Sequence, residues 1–373
     1  MNKKSNAIIN RLHIKYPIIQ AGMAGGTTTP ELVAAVSNAG GLGTLGAGYM
    51  SPEQMRTAIR AIKQLTGNPF AVNLFVPEPP GIDGCISKTV IKQLEDIEKE
   101  VRRKGQVEVG NIGISADSYF FDEKSYRETF HEQVKVIVEE KVPVLSFTFG
   151  ILDDLYIRQL KKADIVLIGT ATHVEEAVSL EAAGVDMIVA QGSEAGGHRG
   201  TFAGDPHSSL VGTLALVPLI VDHVATPVIA AGGIMDGRGI AAVMALGAQA
   251  AQLGSAFLLC KESGVHPAYQ EAICSSDERS TVITKTISGK PARGIRNELI
   301  HRLESCLASI PAYPIMNELT RSVRQAAARN SDPQYMSLWA GQAARMGEIT
   351  GAGDKMEQLV KQWRLVVNAM KME

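Results

Sequence analysis

The chain has few cysteines, no excess of either charge and no long apolar run, and each absence excludes something. Its 373 residues include four cysteines, Cys85, Cys260, Cys274 and Cys306. None forms a C-x-x-C pair, so neither a disulfide framework nor a zinc site is indicated. The balance of 37 Lys+Arg against 39 Asp+Glu leaves a net charge of −2. That argues against a nucleic-acid binder, which would carry a basic stripe, and against a polybasic membrane anchor. No uninterrupted stretch of about 18 apolar residues exists to span a bilayer. Lys3-Lys4 is followed by Ser5 and Asn6 rather than an apolar segment, so no signal peptide is expected. These absences predict a soluble protein of a reducing, cytoplasmic compartment.

What is present is glycine, 36 residues of it, and a 45% apolar content arranged in a repeating rhythm. Short apolar runs alternate with glycine-bearing turns and helix-like stretches, the pattern of parallel βαβ units. Eight runs read as strands: 17–21, 42–45, 70–75, 144–147, 165–168, 187–190, 228–231 and 250–253. Between them, Thr29-Pro30 reads as an N-cap followed by proline at the first helical position. Ser51 with Gln54, and Thr172 with Glu175, have the capping-box spacing. Gly67 is expected to close a helix in the left-handed conformation, and Asp236 to cap another.

Eight such units favour an α/β fold of the (β/α)8 barrel type over an open doubly wound sheet. The barrel is expected over residues 1–260, with a polar, charged insertion over about 76–126 after the third strand. That insertion reads as a solvated helical excursion or as a lid. Residues 261–373 read as a mainly helical subdomain packed on the barrel, with a strand near 281–287 and a turn at Ser288-Gly-Lys-Pro291. Gly41-Leu-Gly-Thr-Leu-Gly46 matches G-x-G-x-x-G, but it follows a helix and contains a strand, the wrong context for a dinucleotide fingerprint.

In such a barrel the chemistry belongs at the C-terminal ends of the strands, with phosphate after the last two. There, Gly232-Gly233 lets backbone amides approach an anion, and Gln252-Leu253-Gly254-Ser255 opens a short helix. After the sixth run comes Gln191-Gly-Ser-Glu-Ala-Gly-Gly-His198-Arg199-Gly200, with four glycines in nine residues. His198, held among them, can exchange a proton near neutral pH. Asn73 and Gln191 are amides in otherwise apolar strands, suited to the edge of a heterocycle or to tethering a loop. The Gln20–Gly26 stretch with Met23 allows close approach to a flat ligand. Arg199 is expected to add positive potential or to point to solvent. No metal-ligand spacing surrounds His198.

These segments resemble the class I nitronate monooxygenases, formerly called 2-nitropropane dioxygenases. The likeness runs through 20–26, Ser146-Phe-Thr-Phe-Gly150, the stretch 188–202 ending His-Arg-Gly-Thr-Phe, Gly232-Gly-Ile-Met-Asp-Gly-Arg-Gly239 and Gln252-Leu-Gly-Ser-Ala-Phe257. The resemblance implies non-covalent FMN. Its phosphate would rest on Gly233 and the turn of Gln252, Leu253, Gly254 and Ser255. Asn73, Gln191 and Gly196 would contact the ring or ribityl chain, with the Met23 backbone near the reactive edge. His198 matches the family's catalytic histidine, and Tyr313 a segment near the pocket. The implied reaction oxidises alkyl nitronates such as propionate 3-nitronate with O2, giving a carbonyl compound and nitrite without NADH. A related flavin barrel that takes hydride from NAD(P)H, of the enoyl-acyl-carrier-protein reductase or quinone reductase type, shares the Glu194-Ala-Gly-Gly-His198 core.

Overall fold

The computed structural model describes residues 6–78, 87–105, 122–206 and 208–370. The eight predicted runs are all strands: β1 (Ile18–Gln20), β2 (Gly43–Gly46), β3 (Phe70–Phe75), β4 (Val144–Thr148), β5 (Val166–Ala171), β6 (Met187–Gln191), β8 (Val228–Ala231) and β9 (Ala250–Leu253). A two-residue strand, β7 (Gly197–His198), falls between β6 and β8 and belongs to another sheet. The eight pair in parallel in the order β1-β9-β8-β6-β5-β4-β3-β2. The ends meet where Gln20 N donates to Leu42 O at 2.9 Å and Leu42 N donates to Ile18 O at 3.0 Å, so the sheet is a barrel.

Side chains alternate along each strand with period two, and this alternation sorts the core. Inward residues Ile19, Ala71, Val144, Val166, Met187, Val189, Ile229 and Ala250 fill the lower barrel. The N-terminal helix Ala7–Leu12 lies against them through Ile8 and Leu12. Outward residues such as Leu145, Leu167, Ile188, Ala230 and Leu253 pack on the surrounding helices. The helix Ala352–Met370 joins that same outer layer through Ala352, Met356, Leu359 and Val360.

Several local signals act as expected. Thr29 caps Pro30–Asn38 and Ser51 closes a full capping box with Gln54. Asp236 accepts from the amides of Arg238 and Gly239. Two differ. The helix Pro52–Leu65 ends on Thr66 in extended conformation, φ −148°, and not on a left-handed Gly67. Thr172 bonds Glu176 rather than Glu175. The Glu176 carboxylate is fully buried because it also accepts from the amides of Phe202 and Ala203.

The charged insertion is not a solvated excursion where it is described. Its helix Lys88–Lys104 buries Val90, Ile91, Leu94, Ile97 and Val101 in a second core with Leu299, Leu303, Val323, Ala326 and Ala327. Residues 79–86 and 106–121, part of that insertion, lie outside the described residues. The strand near 281–287 is one arm of a hairpin, β10 (Thr281–Thr284) and β11 (Ala292–Ile295). β11 pairs antiparallel with β7, setting Ala292 opposite His198. A segment from beyond the barrel thus becomes the floor under the predicted catalytic loop.

The G-x-G-x-x-G run has a packing explanation. A Cβ on Gly43 would stand 2.1 Å from Val33 O, and one on Gly46 would stand 2.4 Å from the Met23 carbonyl carbon. These glycines let a helix and the loop after β1 cross the strand closely.

Candidate active site

At the upper rim the inward positions turn polar. Asn73, Ser146, Thr148, Thr170, Gln191 and Gln252 line one cavity of about 700 Å³. Asn73 Nδ2 donates to Ser146 Oγ at 2.6 Å. Gln191 spends both ends of its amide on the loop it precedes: Nε2 donates to His198 O at 3.1 Å, and Oε1 accepts from Gly200 N at 2.8 Å. Loop tethering therefore describes Gln191 directly.

His198 stands in a box of rings. The centroids of Phe149, Tyr313 and Trp339 lie 5.7, 5.9 and 5.4 Å from its own. Its Nε2 is 2.8 Å from Ser288 Oγ in the turn between β10 and β11. Burial, with Lys290 and Arg324 nearby, pushes the imidazole down to about 3 from its ordinary 6.5. It is neutral at physiological pH, so the ring is a proton acceptor and not a standing positive charge. Lys290 Nζ lies 4.8 Å over the Phe149 ring and donates to Glu78 Oε2 at 2.7 Å.

The glycine turns form the opposite wall. Gly233 adopts φ +69°, where a side chain would be strained. Among the described residues nothing accepts from the Gly233 or Gly254 amide. Ser255 opens the helix Ser255–Leu258, so its amide has no intrahelical acceptor. A Cβ on Gly254 would meet only Ala21 and Met23 at 3.7 and 3.8 Å. These are free donors around open space, a set suited to an anion.

Of the sequence-predicted residues, Met23, Asn73, Gln191, Gly196, His198, Gly233, Gln252, Gly254 and Ser255 line this cavity. Leu253 does not: it is 1% exposed in the outer core, because the residue after an inward Gln252 must face outward. Tyr313 stacks beside His198 but lies outside the cavity wall. Arg199 neither reaches the cavity nor points to solvent. It is buried, donating from Nη1 to Gly192 O at 2.6 Å and from Nη2 to Ser209 O at 3.1 Å. Cys260 is buried and pushed up to about 12, chiefly by that burial, which removes it as a thiolate nucleophile.

Sequence reasoning missed the far wall. Tyr49, Phe75, Arg321, Arg324 and Trp339 all line the cavity. Arg324 bonds Thr320 Oγ1 through Nε and Asn317 O through Nη2, at 3.2 and 2.7 Å, with no carboxylate partner among the described residues. Burial lowers its pKa, with Tyr49 opposing that shift and neighbouring Arg321 adding to it. The helical spacing of Arg321 and Arg324 was the only available sign of this cationic face, and it also fits a solvated helix.

A closed (β/α)8 barrel with a rim cavity, amide-lined glycine turns and a buried histidine at the C-terminal ends of its strands defines a barrel with an enzyme-type site. A family model described as nitronate monooxygenase matches residues 5–362. The chain is 46% identical over 368 residues to a probable nitronate monooxygenase of Staphylococcus saprophyticus, covering 98% of this chain and 99% of that one. It is also 46% identical to a protein of the same description from Staphylococcus aureus, over 96% and 97% of the two chains. Among solved structures, nitroalkane oxidase from Streptomyces ansochromogenes superposes with a TM-score of 0.84 at 36% identity, covering 98% and 100%. FabK from Thermotoga maritima gives 0.74 at 33% identity, covering 98% and 97%. The chain belongs to the nitronate monooxygenase family.

Proposed function

We propose that this protein is an FMN-dependent cytoplasmic enzyme that oxidises alkyl nitronates, propionate 3-nitronate among them, with O2 and without NADH. The products are a carbonyl compound and nitrite. The observation that carries this reading is the pairing, across one cavity, of a neutral His198 with the unbonded amides of the Gly233 and Gly254–Ser255 turns. The fit to FMN rests on that donor set and on the open space over Gly254, which a side chain would fill.

Gly233, Gln252, Gly254, Ser255 and the backbone of Leu253 would hold the phosphate. Asn73, Gln191 and Gly196 would border the ring and ribityl chain, with the Met23 backbone beside them on the same cavity wall. Bound FMN supplies the electron acceptor that O2 re-oxidises. The chain supplies position and charge. Neutral His198 removes the α-proton of a neutral nitroalkane, help typically worth about 10²–10⁴-fold. Arg324, with no carboxylate partner among the described residues, gives the cavity a positive wall for an anionic nitronate, while Arg321 is paired with Glu318 on the same wall. Residues 1–260 form the cofactor barrel in this reading, and 261–373 a subdomain that completes the site, its last helix returning to the barrel.

Aerobic oxygen uptake with propionate 3-nitronate, compared with NADH alone, tests the proposal. Rapid uptake with the nitronate and none with NADH is expected. Anaerobic bleaching of the flavin by NADH would instead favour the reductase reading left open by the shared Glu194–His198 core.

A further inference from the structure

Ser288 is 1% exposed and its hydroxyl has three polar neighbours. It donates to Lys290 O at 3.1 Å, accepts from Lys290 N at 3.4 Å, and lies 2.8 Å from His198 Nε2. A serine hydroxyl has one proton and two lone pairs. Among the described residues no other donor reaches Lys290 O, and Lys290 is itself buried. Turning the hydroxyl proton toward the histidine would leave that carbonyl unpaired, at a desolvation cost. The proton therefore stays on Lys290 O, and a lone pair faces the imidazole.

We propose that Ser288 is a positioning residue that holds His198 as the Nε2–H tautomer, leaving Nδ1 as the nitrogen that takes the substrate proton. The inference rests on the reading above in taking His198 as the proton acceptor. His198 Nδ1 has no partner among the described residues, and the ring borders the cavity. In the step, the Cα–H bond of a nitroalkane breaks and its electron pair spreads into the nitro group, giving the nitronate. The proton forms the Nδ1–H bond. The imidazolium keeps its Nε2–H on Ser288 and faces the new anion. The β7–β11 pairing carries the ring and the Ser288 turn side by side, so the tautomer and the ring angle are set together.

The decisive measurement is a long-range ¹H–¹⁵N spectrum of the holoenzyme labelled with ¹⁵N-histidine, with His198 assigned by its loss in His198→Asn. An N–H type Nε2 and an unprotonated, imine-type Nδ1 are expected near neutral pH; an Nδ1–H ring overturns the proposal. Ser288→Ala should mix the two tautomers and slow nitroethane deprotonation by about 10–100-fold, less than loss of the base itself, mainly in kcat. Preformed ethylnitronate should lose less. Ser288→Cys, which keeps a weak donor and acceptor, should recover part of the rate. A pure Nε2–H spectrum and undiminished deprotonation in Ser288→Ala would also overturn it. Should Ser288→Ala fail to fold, the wild-type spectrum still decides. Full deprotonation activity in His198→Asn would strike the parent reading, whereas an Nδ1–H spectrum strikes only this one.

Discussion

The Gly341 amide donates to Ser255 Oγ at 2.8 Å, laying a segment from beyond the barrel across the turn proposed to hold phosphate. The same segment passes so close to Gly196 that a Cβ there would stand 2.5 Å from Gly341 N and 2.6 Å from the Ala340 carbonyl carbon. Both atoms are backbone and cannot swing aside. Gly196→Ala is expected to destabilise the protein by about 1–3 kcal/mol, and Ser255→Ala by about 0.5–1.5 kcal/mol. Urea unfolding of the cofactor-free proteins checks both, and an unchanged midpoint for Gly196→Ala would contradict the close packing.

Gly254 is the contrasting glycine. Its φ is −103° and a Cβ meets only ordinary contacts, so the protein tolerates a side chain that the cofactor does not. Gly254→Leu should fold with a melting temperature near that of the cofactor-free wild type while retaining little FMN. Undiminished flavin occupancy would move the phosphate elsewhere.

His198→Asn should keep the yellow cofactor and lose most turnover of neutral nitroalkanes, with preformed nitronates suffering less because they need no deprotonation. Equal retention of both would falsify the base assignment. The pH dependence carries a second signature. With its pKa held at about 3 in the fold, His198 stays unprotonated where a free histidine, near 6.5, would carry a proton. Nitroethane deprotonation at about pH 5 should therefore show no loss from imidazole protonation.

The same shift has a sign for stability. Between about 6.5 and about 3 the unfolded chain binds a proton at residue 198 that the native chain does not. Its contribution is thus full above the unfolded pKa and fades as pH falls toward the folded one. His198→Asn should flatten this part of the acid limb in pH-dependent unfolding. An acid limb as steep as wild type would show that the ring is solvated.

Arg324 faces the cavity without a carboxylate among the described residues. Replacing it by glutamine should raise KM for propionate 3-nitronate by about 10-fold or more, the worth of a charged hydrogen bond of about 1.5–3 kcal/mol. A neutral nitroalkane should be affected much less. Equal effects on the two substrates would place the guanidinium in a structural role.

Much of the barrel was legible because its signals are local. A four-to-six-residue apolar run bounded by glycine declares a strand, and Ser51 or Asp236 declares a helix start, without reference to anything distant. The rim histidine was legible for the same reason, since a glycine-rich loop after a barrel strand is a contiguous feature. The outward turn of the Leu253 side chain was not legible, because contiguity in sequence is not contiguity of side chains: the pleat sends Gln252 inward and its neighbour out. Arg199 was misread because no local pattern marks the carbonyls of Gly192 and Ser209 as its partners.

By itself the chain's order of residues determined the eight strands, the crossover helices, the rim that carries His198 and the glycine turns facing it. Only tertiary structure decided what surrounds that histidine. Ser288, Tyr313 and Trp339 reach it across 90 or more residues through the pairing of β11 with β7, and Arg324 arrives on a helix braced by the charged insertion. Short-range sterics and hydrogen bonding write strands and caps into adjacent residues. The charge, tautomer and dryness of a site depend on groups that only the closed fold brings together.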